Sequence, residues 1–232
     1  DHLATTIVPD LVRDRSPDRP IRIWVPGCST GEEAYSLAMV FLEAITAAKR
    51  NLKLQVFASD VDADAVATAR EGLYPATIEA DVSAERLARF FIKEEHGWRV
   101  TPDLRGVVVF TVQDVLTDPP FSRLDLVSCR NLLIYLGSEA QEKVLALFHF
   151  ALREGGLLLL GGELLVRGRG RMDHQRLGVA DVRQMREQLH AVDEAHARRA
   201  AALDAEAQDA AEALLEVFRR DRVVRAVRQP GV

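Results

Sequence analysis

The segment PGCSTGEE, residues 26–33, combines residue types that bind charged small molecules. Gly27 lets the backbone approach a ligand closely, because it has no side chain to obstruct the approach. Ser29 and Thr30 can cap the helix that follows or donate hydrogen bonds to a ligand. The N-terminus of that helix favours a negatively charged group such as a carboxylate or a phosphate. This turn is therefore the first candidate binding site.

Two carboxylates at the end of the same segment limit what the turn can bind. Glu32 and Glu33 would repel a phosphate, and they can accept hydrogen bonds from an ammonium group. The alternative interpretation is a helix start with good capping residues and no ligand. The turn alone leaves both interpretations open.

A second candidate site lies in FASDVD, where Asp60 follows an apolar stretch. In doubly wound folds an acid at this point accepts hydrogen bonds from ribose hydroxyls. Asp60 lies farther from the glycine turn than the ~20 residues typical of a nicotinamide site, and the turn lacks G-x-G-x-x-G spacing, so both observations argue against a dehydrogenase. A solvent-exposed turn aspartate is the alternative, and Asp62 and Asp64 fit it.

Polar side chains also follow two later apolar stretches. Asp114 in TVQDV is placed to bind the amino group of an adenine, although an aspartate that merely starts a loop also fits. In SCRNLLIY, the pair Arg130 and Asn131 follows a predicted strand, and ligands of parallel sheets bind beyond such strand ends. Tyr135 follows Asn131 by four residues, so one helical turn would place both on one side. Cys129 is interpreted as a buried structural thiol rather than a nucleophile, since no histidine lies near it in the sequence.

The elements that must position these residues alternate between strands and helices. Apolar runs predict strands, and apolar residues at helical spacing predict helices. The predicted strands cover residues 21–25, 52–58, 107–111, 124–128 and 157–160, and the predicted helices cover residues 32–50, 63–70 and 138–152, the last with Ser138 as its N-cap. This alternation predicts an α/β fold with a mostly parallel sheet and helices on both faces.

Some regions break the alternation. Residues 74–106 are expected to form a small inserted β/α excursion, with a short helix at 84–91 and a hairpin at 98–100. Residues 1–20 are polar and end in an Arg/Asp/Pro cluster, which predicts a frayed helix and a linker. From residue 167 the chain is rich in Ala, Arg, Asp and Glu, and no strand is expected before its last part.

The composition is that of a globular protein and argues against several classes. The 232 residues carry a net charge of −5, which disfavours nucleic acid as a partner, because its binding usually needs a basic face. The longest apolar runs are too short to span a bilayer, so we expect no transmembrane segment. Cys28 and Cys129 give neither a disulfide framework nor metal-binding spacing, and we expect no metal. A reducing cytoplasm is the simplest setting.

Four motifs together resemble the CheR family of protein-glutamate methyltransferases. They are IRIWVPGCSTGEEAYSLAM, VFASDVDADAVATAREGLY, VVVFTVQDVLTDPPFSRLDLVSCRNLLIYL and ALREGGLLLLGGE, and they extend over residues 21–163. The segment DPPFSRLDL is most similar to the sequences of the family branch that is fused to the methylesterase CheB. The resemblance implies a Rossmann-like class I fold that binds S-adenosylmethionine. It also implies an enzyme that methylates glutamate side chains of chemotaxis receptors.

The resemblance implies a role for each matched residue. The expected cofactor contacts lie in the turn and at strand ends: Gly27, Cys28, Ser29, Thr30, Glu32, Glu33, Asp60, Asp114, Val115, Arg130 and Asn131. The turn, with one of its glutamates, would hold the methionine end of the cofactor. Asp60 would bind the ribose, and Asp114 and Val115 would flank the adenine.

The expected catalytic residues are Arg130, Asn131 and Tyr135. By the same resemblance, the first two would lie near the methyl group, and Tyr135 would face the incoming carboxylate. A glutamate carboxylate is already a nucleophile at neutral pH, and a sulfonium methyl group is already activated. Catalysis would then be mainly positioning and desolvation, which explains why no Ser/His/Asp or metal arrangement is found in the sequence.

One departure from the family pattern concerns the beginning of the chain. The family has an N-terminal helical domain and then a Thr-x-Phe-Phe-Arg stretch whose arginine reaches the active site, and this sequence starts just after that stretch. We therefore expect weak catalysis by the chain alone. The alternative is a catalytically impaired module that binds the cofactor or CheB-like and sensor partners. A small-molecule methyltransferase fits the fold but not the motifs.

The other departure concerns the end of the chain. In the family an antiparallel strand completes the sheet. The sequence of that strand is similar to the segment LLEVFRRDRVVR near the end of this chain. We expect a strand within residues 217–227 that pairs with residues 157–160. Residues 164–213 would then be a helical insertion or tail, and residues 214–232 the last strand and C-terminus. The alternative is a helix that continues through Phe218 and leaves the sheet without this strand.

Overall fold

The computed structural model describes residues 3–130, 132–160 and 164–167, with residues 6 and 164–167 described as backbone only. Its helices are α1 (Val8–Arg13), α2 (Glu32–Ala47), α3 (Ala63–Glu71), α4 (Ala84–Phe90), α5 (Pro102–Gly106) and α6 (Ser138–Ala151). A π-helical turn (Leu3–Ile7) precedes α1, and 3₁₀ turns cover Ala76–Ala80 and Leu133–Tyr135. The strands are β1 (Ile21–Pro26), β2 (Leu54–Asp60), β3 (Leu73–Tyr74), β4 (Phe91–Glu94), β5 (Gly97–Val100), β6 (Val108–Val112), β7 (Leu124–Cys129), β8 (Leu152–Leu160) and β9 (Leu164–Arg167).

A six-stranded sheet in the order β6-β2-β1-β7-β8-β9 forms the centre of the molecule. The first five of these strands run parallel, and β9 runs antiparallel to β8. From β1 the chain builds outward through β2 and β6 on one side, and β7 and β8 follow on the other side. This reversal of strand order is a topological switch point, where ligands of such sheets bind at the carboxyl ends of the strands.

Helices cover both faces of the sheet, because successive side chains of a strand point to opposite faces. Ile23 of β1 belongs to the same buried cluster as Phe41 of α2. The neighbouring residue Trp24 instead contacts the ring of Phe148 on α6, edge to face, at 5.4 Å between ring centroids. These observations confirm the predicted α/β fold with a mostly parallel sheet.

The predicted elements are present, with corrections at the boundaries of α6 and β8. Gly137 is the N-cap of α6 and no side chain caps the helix, so the prediction of Ser138 as N-cap is wrong. The helix ends at Ala151, and β8 begins five residues earlier than predicted. The register shift between β7 and β8 accommodates Gly155 and Gly156. A Cβ on Gly156 would lie 2.8 Å from the carbonyl oxygen of Leu124, so this irregularity requires a glycine.

The inserted region between α3 and β6 contains the predicted short helix and hairpin, and the hairpin is part of a separate three-stranded sheet. Its strands pair antiparallel in the order β3-β5-β4, and α4 precedes β4 in the chain. Arg86 on α4 forms two hydrogen bonds of 2.8 Å with Glu43 on α2. This paired interaction fixes the inserted region against the main domain.

The strand β9 corrects one expectation about the end of the sheet. Residues 164–167 pair antiparallel with Leu157–Leu160, so they do not begin a helical insertion. The strand expected within residues 217–227 lies outside the described residues. The apolar run Leu164-Leu165-Val166 after a Gly-Gly pair is the hairpin signal that accounts for the strand. The rest of 164–213, and 214–232, lie outside the described residues.

A buried carboxylate joins the N-terminal segment to the sheet. Asp125 of β7 is 1% exposed and accepts hydrogen bonds from both Nη atoms of Arg15, at 2.9 and 2.7 Å. The backbone N–H of Arg22 donates to the same carboxylate at 2.8 Å, and Arg153 of β8 donates through its Nε. The residues before β1 are therefore attached to β7 and β8 by charge as well as by apolar packing.

We predict that Asp125→Ala lowers the free energy of unfolding by about 3–5 kcal/mol, because it leaves buried arginine charge without a partner. Urea unfolding followed by the fluorescence of the buried Trp24 measures this loss. The matched control is Asp81→Ala, which removes an exposed carboxylate and should change stability by no more than about 0.5 kcal/mol. Equal effects of the two substitutions would contradict the prediction.

Candidate functional site

The turn between β1 and α2 depends on left-handed backbone conformations. Gly27, Ser29 and Gly31 have φ values of 68°, 47° and 94°. A Cβ on Gly27 would lie 3.1 Å from the Cβ of Leu132, and a Cβ on Gly31 would lie 3.0 Å from that of Ala69. Both glycines are thus required by conformation and by the space available.

Backbone hydrogen bonds attach this turn to the carboxyl end of β2. The N–H of Cys28 donates to the carbonyl of Ser59 at 3.0 Å, and the N–H of Ser29 donates to Oδ2 of Asp60 at 2.8 Å. The N–H of Gly31 closes the turn on the carbonyl of Cys28 at 2.9 Å. The sequence therefore brings together its first two candidate sites, the glycine turn and Asp60.

Neither hydroxyl of the turn caps the helix, which corrects one of the predicted roles of Ser29 and Thr30. Gly31 is the N-cap residue of α2, and no side-chain hydrogen bond caps the backbone of the helix. Thr30 lies one residue earlier and donates its hydroxyl to the carboxylate of Glu32, at 2.6 and 2.8 Å to the two oxygens. The N-cap position is thus occupied by the left-handed Gly31, whereas the sequence pattern predicted Ser29 or Thr30 there.

Glu33 is the half-buried acid of the site. Its Oε1 accepts a hydrogen bond of 2.5 Å from the hydroxyl of Ser128, which is fully buried at the end of β7. Burial raises the pKa of Glu33, while the Ser128 hydrogen bond and the charge of Arg130 act in the opposite direction. Sequence reasoning missed Ser128, although a serine inside an otherwise apolar strand end was a usable signal.

Asp60 is the last residue of β2, and Asp114 follows the neighbouring parallel strand β6. Asp60 accepts hydrogen bonds from backbone N–H groups through both carboxylate oxygens, since Asp62 donates to Oδ1 at 3.0 Å. The N–H of Gln113 donates to the carbonyl of Asp60 at 2.9 Å, so the two strand ends are joined directly. Asp114 accepts from the N–H of Leu116 at 2.9 Å and starts a loop. Val115 beside it is half-buried.

The expected catalytic residues follow β7. Arg130 is exposed, and Tyr135 is 79% exposed at the end of the 3₁₀ turn. Asn131 lies outside the described residues. Gln141 of α6 is buried and donates to the carbonyls of Leu133 and Leu136 at 2.9 and 3.0 Å. This amide holds the short segment that carries Tyr135, and nothing in the local sequence pattern identified it.

Both cysteines are buried and free. Burial is the main reason that the pKa of each thiol is raised to about 12, so neither is a thiolate near neutral pH. Cys129 therefore lacks the properties of a nucleophile. Cys28 can offer a ligand its backbone rather than its side chain. Among the side chains that the structure describes, no three His, Cys, Asp or Glu residues are grouped to hold a metal ion.

Exposed apolar side chains lie at or beyond the carboxyl ends of β2, β6 and β7. Val61, Val112, Leu116 and Tyr135 are each about half exposed or more, and all four stand at or just beyond strand carboxyl ends. Together with Glu32, Glu33 and Asp60, they form an edge that combines negative charge with apolar surface. Such an edge suits a ligand that carries positive charge and a flat apolar ring.

Comparison with known proteins identifies the family to which residues 1–176 belong. A family model described as "CheR methyltransferase, SAM binding domain" matches residues 1–176. The "Uncharacterized 104.1 kDa protein in hypE 3'region" of Rhodobacter capsulatus is 44% identical over 166 residues, which are 71% of this chain and 17% of that protein. Across the residues that the structure describes, no helix has the length and apolar character to cross a bilayer.

Two relatives carry names that state an activity. Chemotaxis protein methyltransferase Cher2 of Pseudomonas putida is 31% identical over 171 residues, which are 72% of this chain and 62% of that protein. Chemotaxis protein methyltransferase 1 of Pseudomonas aeruginosa is 34% identical over 164 residues, which are 68% and 60%. The chain therefore spans about three-fifths of these relatives. The similarity to the CheB-fused branch stays a prediction.

We predict that Glu33→Gln is more stable than the wild type at pH 7. The folded-state pKa of Glu33 is raised, so the folded protein holds this proton more tightly than the unfolded chain does. Its ionisation therefore lowers stability as the pH rises through the unfolded and then the folded pKa, and glutamine removes this effect. Urea unfolding at pH 7 and pH 4 should show a stability gain that shrinks at the lower pH. A gain that grows on acidification would contradict this sign.

Proposed function

The chain belongs to the CheR methyltransferases through their SAM-binding domain, and on this premise we propose that it binds S-adenosylmethionine and transfers the methyl group to glutamate side chains of chemotaxis receptors. The observation that carries the proposal is the convergence of the glycine turn, Glu33 and Asp60 at the carboxyl edge of β1, β2 and β7. The family match to residues 1–176 and the names of the relatives support the reaction.

The acids of the site fit the methionine end of this cofactor. Ser128 occupies Oε1 of Glu33, which leaves Oε2 to accept a hydrogen bond from the cofactor's ammonium group. The hydrogen bond from Ser128 and the charge of Arg130 both favour the ionised form of Glu33, as an ammonium partner would. Gly27, Cys28, Ser29 and Thr30 would provide backbone contacts around the same group, with Glu32 beside them.

Asp60 fits the ribose. An ionised carboxylate offers about four acceptor positions. The N–H groups of Ser29 and Asp62 use two of them, so two stay available for the vicinal hydroxyls of a ribose. The same bonds fix the orientation of the carboxylate before the ligand arrives, which lowers the entropic cost of binding.

The adenine would lie over the ends of β2 and β6. Asp114 and Val115 would flank the ring, with the carboxylate of Asp114 accepting from the exocyclic amino group. Val61 and Leu116 are 71% and 47% exposed in the same region, and both would lose water contact against an adenine face. We add these two apolar residues to the cofactor site, since they give the ring a surface on which to pack.

The bound cofactor supplies an electrophilic methyl group, and the protein's part is to position the acceptor carboxylate. Arg130 is exposed at the end of β7, where its charge can attract that carboxylate. Tyr135 projects into solvent, where its hydroxyl can donate to the carboxylate and orient it. We assign Asn131 to the same group. The proposed acceptor is a receptor glutamate, so we place the reaction in the cytoplasm and leave CheB-like or sensor modules as candidate partners.

We predict that the chain binds S-adenosylmethionine and its demethylated product, and that Asp60→Ala weakens binding by roughly 1.5–3 kcal/mol, the scale of hydrogen bonds to a charged group. Titration calorimetry measures both affinities. Asp64→Ala is the matched control, because it removes a nearby exposed carboxylate from α3 and should leave the affinity unchanged. An affinity of Asp60→Ala equal to that of the control would remove Asp60 from the site.

We also predict transfer of a tritiated methyl group to receptor-rich membranes, with label that base releases as expected for a methyl ester. Tyr135→Phe should lower kcat by about 10- to 100-fold, the rate equivalent of one hydrogen bond to a charged group, and leave cofactor affinity unchanged. Phe150→Leu, at a residue that is 78% exposed on α6, is the control for a change at an exposed aromatic residue. Base-stable label would count against glutamate as the acceptor.

A further inference from the structure

A buried tyrosine of the small sheet reaches the cofactor turn. Tyr74 of β3 is 7% exposed, and its hydroxyl donates to the carbonyl of Thr30 at 2.8 Å. Burial raises the pKa of Tyr74, and the charge of Glu32 acts in the same direction, so the phenol stays protonated and remains a donor. The inserted region is thus joined to the turn that we assign to the cofactor.

The accepting carbonyl stands at the point where the turn becomes a helix. Thr30 precedes the left-handed Gly31, and its own hydroxyl is committed to Glu32. A hydrogen bond to the Thr30 carbonyl fixes the peptide plane between Thr30 and Gly31. It therefore fixes the direction of the turn backbone and of the acids that begin α2.

Tyr74 is held equally firmly on the side of the small sheet. Its ring contacts those of Tyr35 and Phe91 edge to face, with centroids 6.1 and 6.5 Å apart. Its backbone pairs with Trp98 of β5. The backbone of Gly97 also packs against it, since a Cβ on Gly97 would lie 2.0 Å from the carbonyl oxygen of Tyr74. A displacement of β5 would therefore move the tyrosine hydroxyl.

We propose that Tyr74 is a positioning residue that couples the β3-β5-β4 sheet to the cofactor turn. Anything that orders or displaces this sheet then changes the affinity of the turn for S-adenosylmethionine, and cofactor binding changes the order of the sheet in return, because such coupling is reciprocal. The proposal rests on the proposed function, since it takes the turn as the cofactor site.

The chain contains a matched control for this hydroxyl. Tyr35 of α2 is also buried, at 1% exposure, and also donates its hydroxyl to a backbone carbonyl, that of Ala69 at 3.0 Å. Its acceptor lies in α3 rather than in the turn. Tyr74→Phe and Tyr35→Phe therefore remove the same kind of bond and keep the ring packing, but only the first frees the turn.

Titration calorimetry with S-adenosylmethionine and with S-adenosylhomocysteine on the full chain tests the coupling. We expect Tyr74→Phe to weaken both affinities by about two- to tenfold, the range of one neutral hydrogen bond, and Tyr35→Phe to leave them unchanged, while thermal unfolding shows similar losses of stability for the two. Equal affinities of the two variants would overturn the inference and leave the proposed function standing. A wild-type chain that binds neither ligand would overturn both.

Amide hydrogen exchange gives a measurement that a purely structural tyrosine would not affect. Adding S-adenosylhomocysteine to the wild type should slow exchange in Leu73–Tyr74 and Gly97–Val100 as well as in the turn. The slowing in the strands should persist in Tyr35→Phe and disappear in Tyr74→Phe. Protection confined to the turn in the wild type would overturn the proposed coupling without any variant.

Discussion

The carboxylate of Asp125 accepts hydrogen bonds from three parts of the chain: Arg15 before β1, the backbone N–H of Arg22 in β1, and Arg153 of β8. A buried charge costs several kcal/mol unless it is paired and its lone pairs are satisfied. Here two guanidinium groups and a backbone N–H satisfy them. The positions of β1, β7 and β8 relative to one another therefore depend on this one carboxylate, at the amino ends of β1 and β7. Because β1 and β7 are rigid neighbours, fixing their amino ends also sets where their carboxyl ends deliver Gly27 and Ser128.

At the carboxyl ends of the strands the acidic side chains are not fully hydrogen-bonded within the protein. There Glu33 is desolvated enough that burial raises its pKa, and its neighbours satisfy only part of its hydrogen-bonding capacity. Asp60 likewise keeps acceptor positions after binding two backbone N–H groups. The amino end of the sheet is thus built for stability, with the buried Asp125 carboxylate satisfied by its partners. The carboxyl end retains unused acceptors and exposed apolar side chains, which is the pattern expected where stability is given up for ligand binding.

The sequence predicted the features that arise from local patterns. The helical spacing of apolar residues predicted α2 and α3, and apolar runs predicted β1, β2 and β7. The rule that ligands bind beyond strand ends then indicated the turn and Asp60 as site residues. The features it missed depend on contacts between distant residues: Arg15 with Asp125 is separated by 110 positions, and Ser128 with Glu33 by 95. The capping prediction for Ser29 and Thr30 was wrong because the left-handed Gly31 takes the N-cap position, where a Cβ would lie within 3.1 Å of Ala69 and Phe110. The strand β9 was not predicted because its aliphatic run is only a few residues long. The segment that follows it has a helical composition, and the prediction of a helix included the run.

The exposure of the site bears on the kind of acceptor it serves. Methyl transfer to a carboxylate needs that carboxylate to lose water, because hydration weakens it as a nucleophile. Tyr135 is 79% exposed, so the acceptor side of this edge, as far as the structure describes it, does not itself exclude water. A small acceptor would remain hydrated there. A macromolecular acceptor brings its own surface, and the area around its glutamate can cover Tyr135 and the apolar side chains beside the site. Water would then be excluded by the same contact that selects the substrate, which is why an open, apolar-rimmed edge favours a receptor over a small molecule as the proposed acceptor.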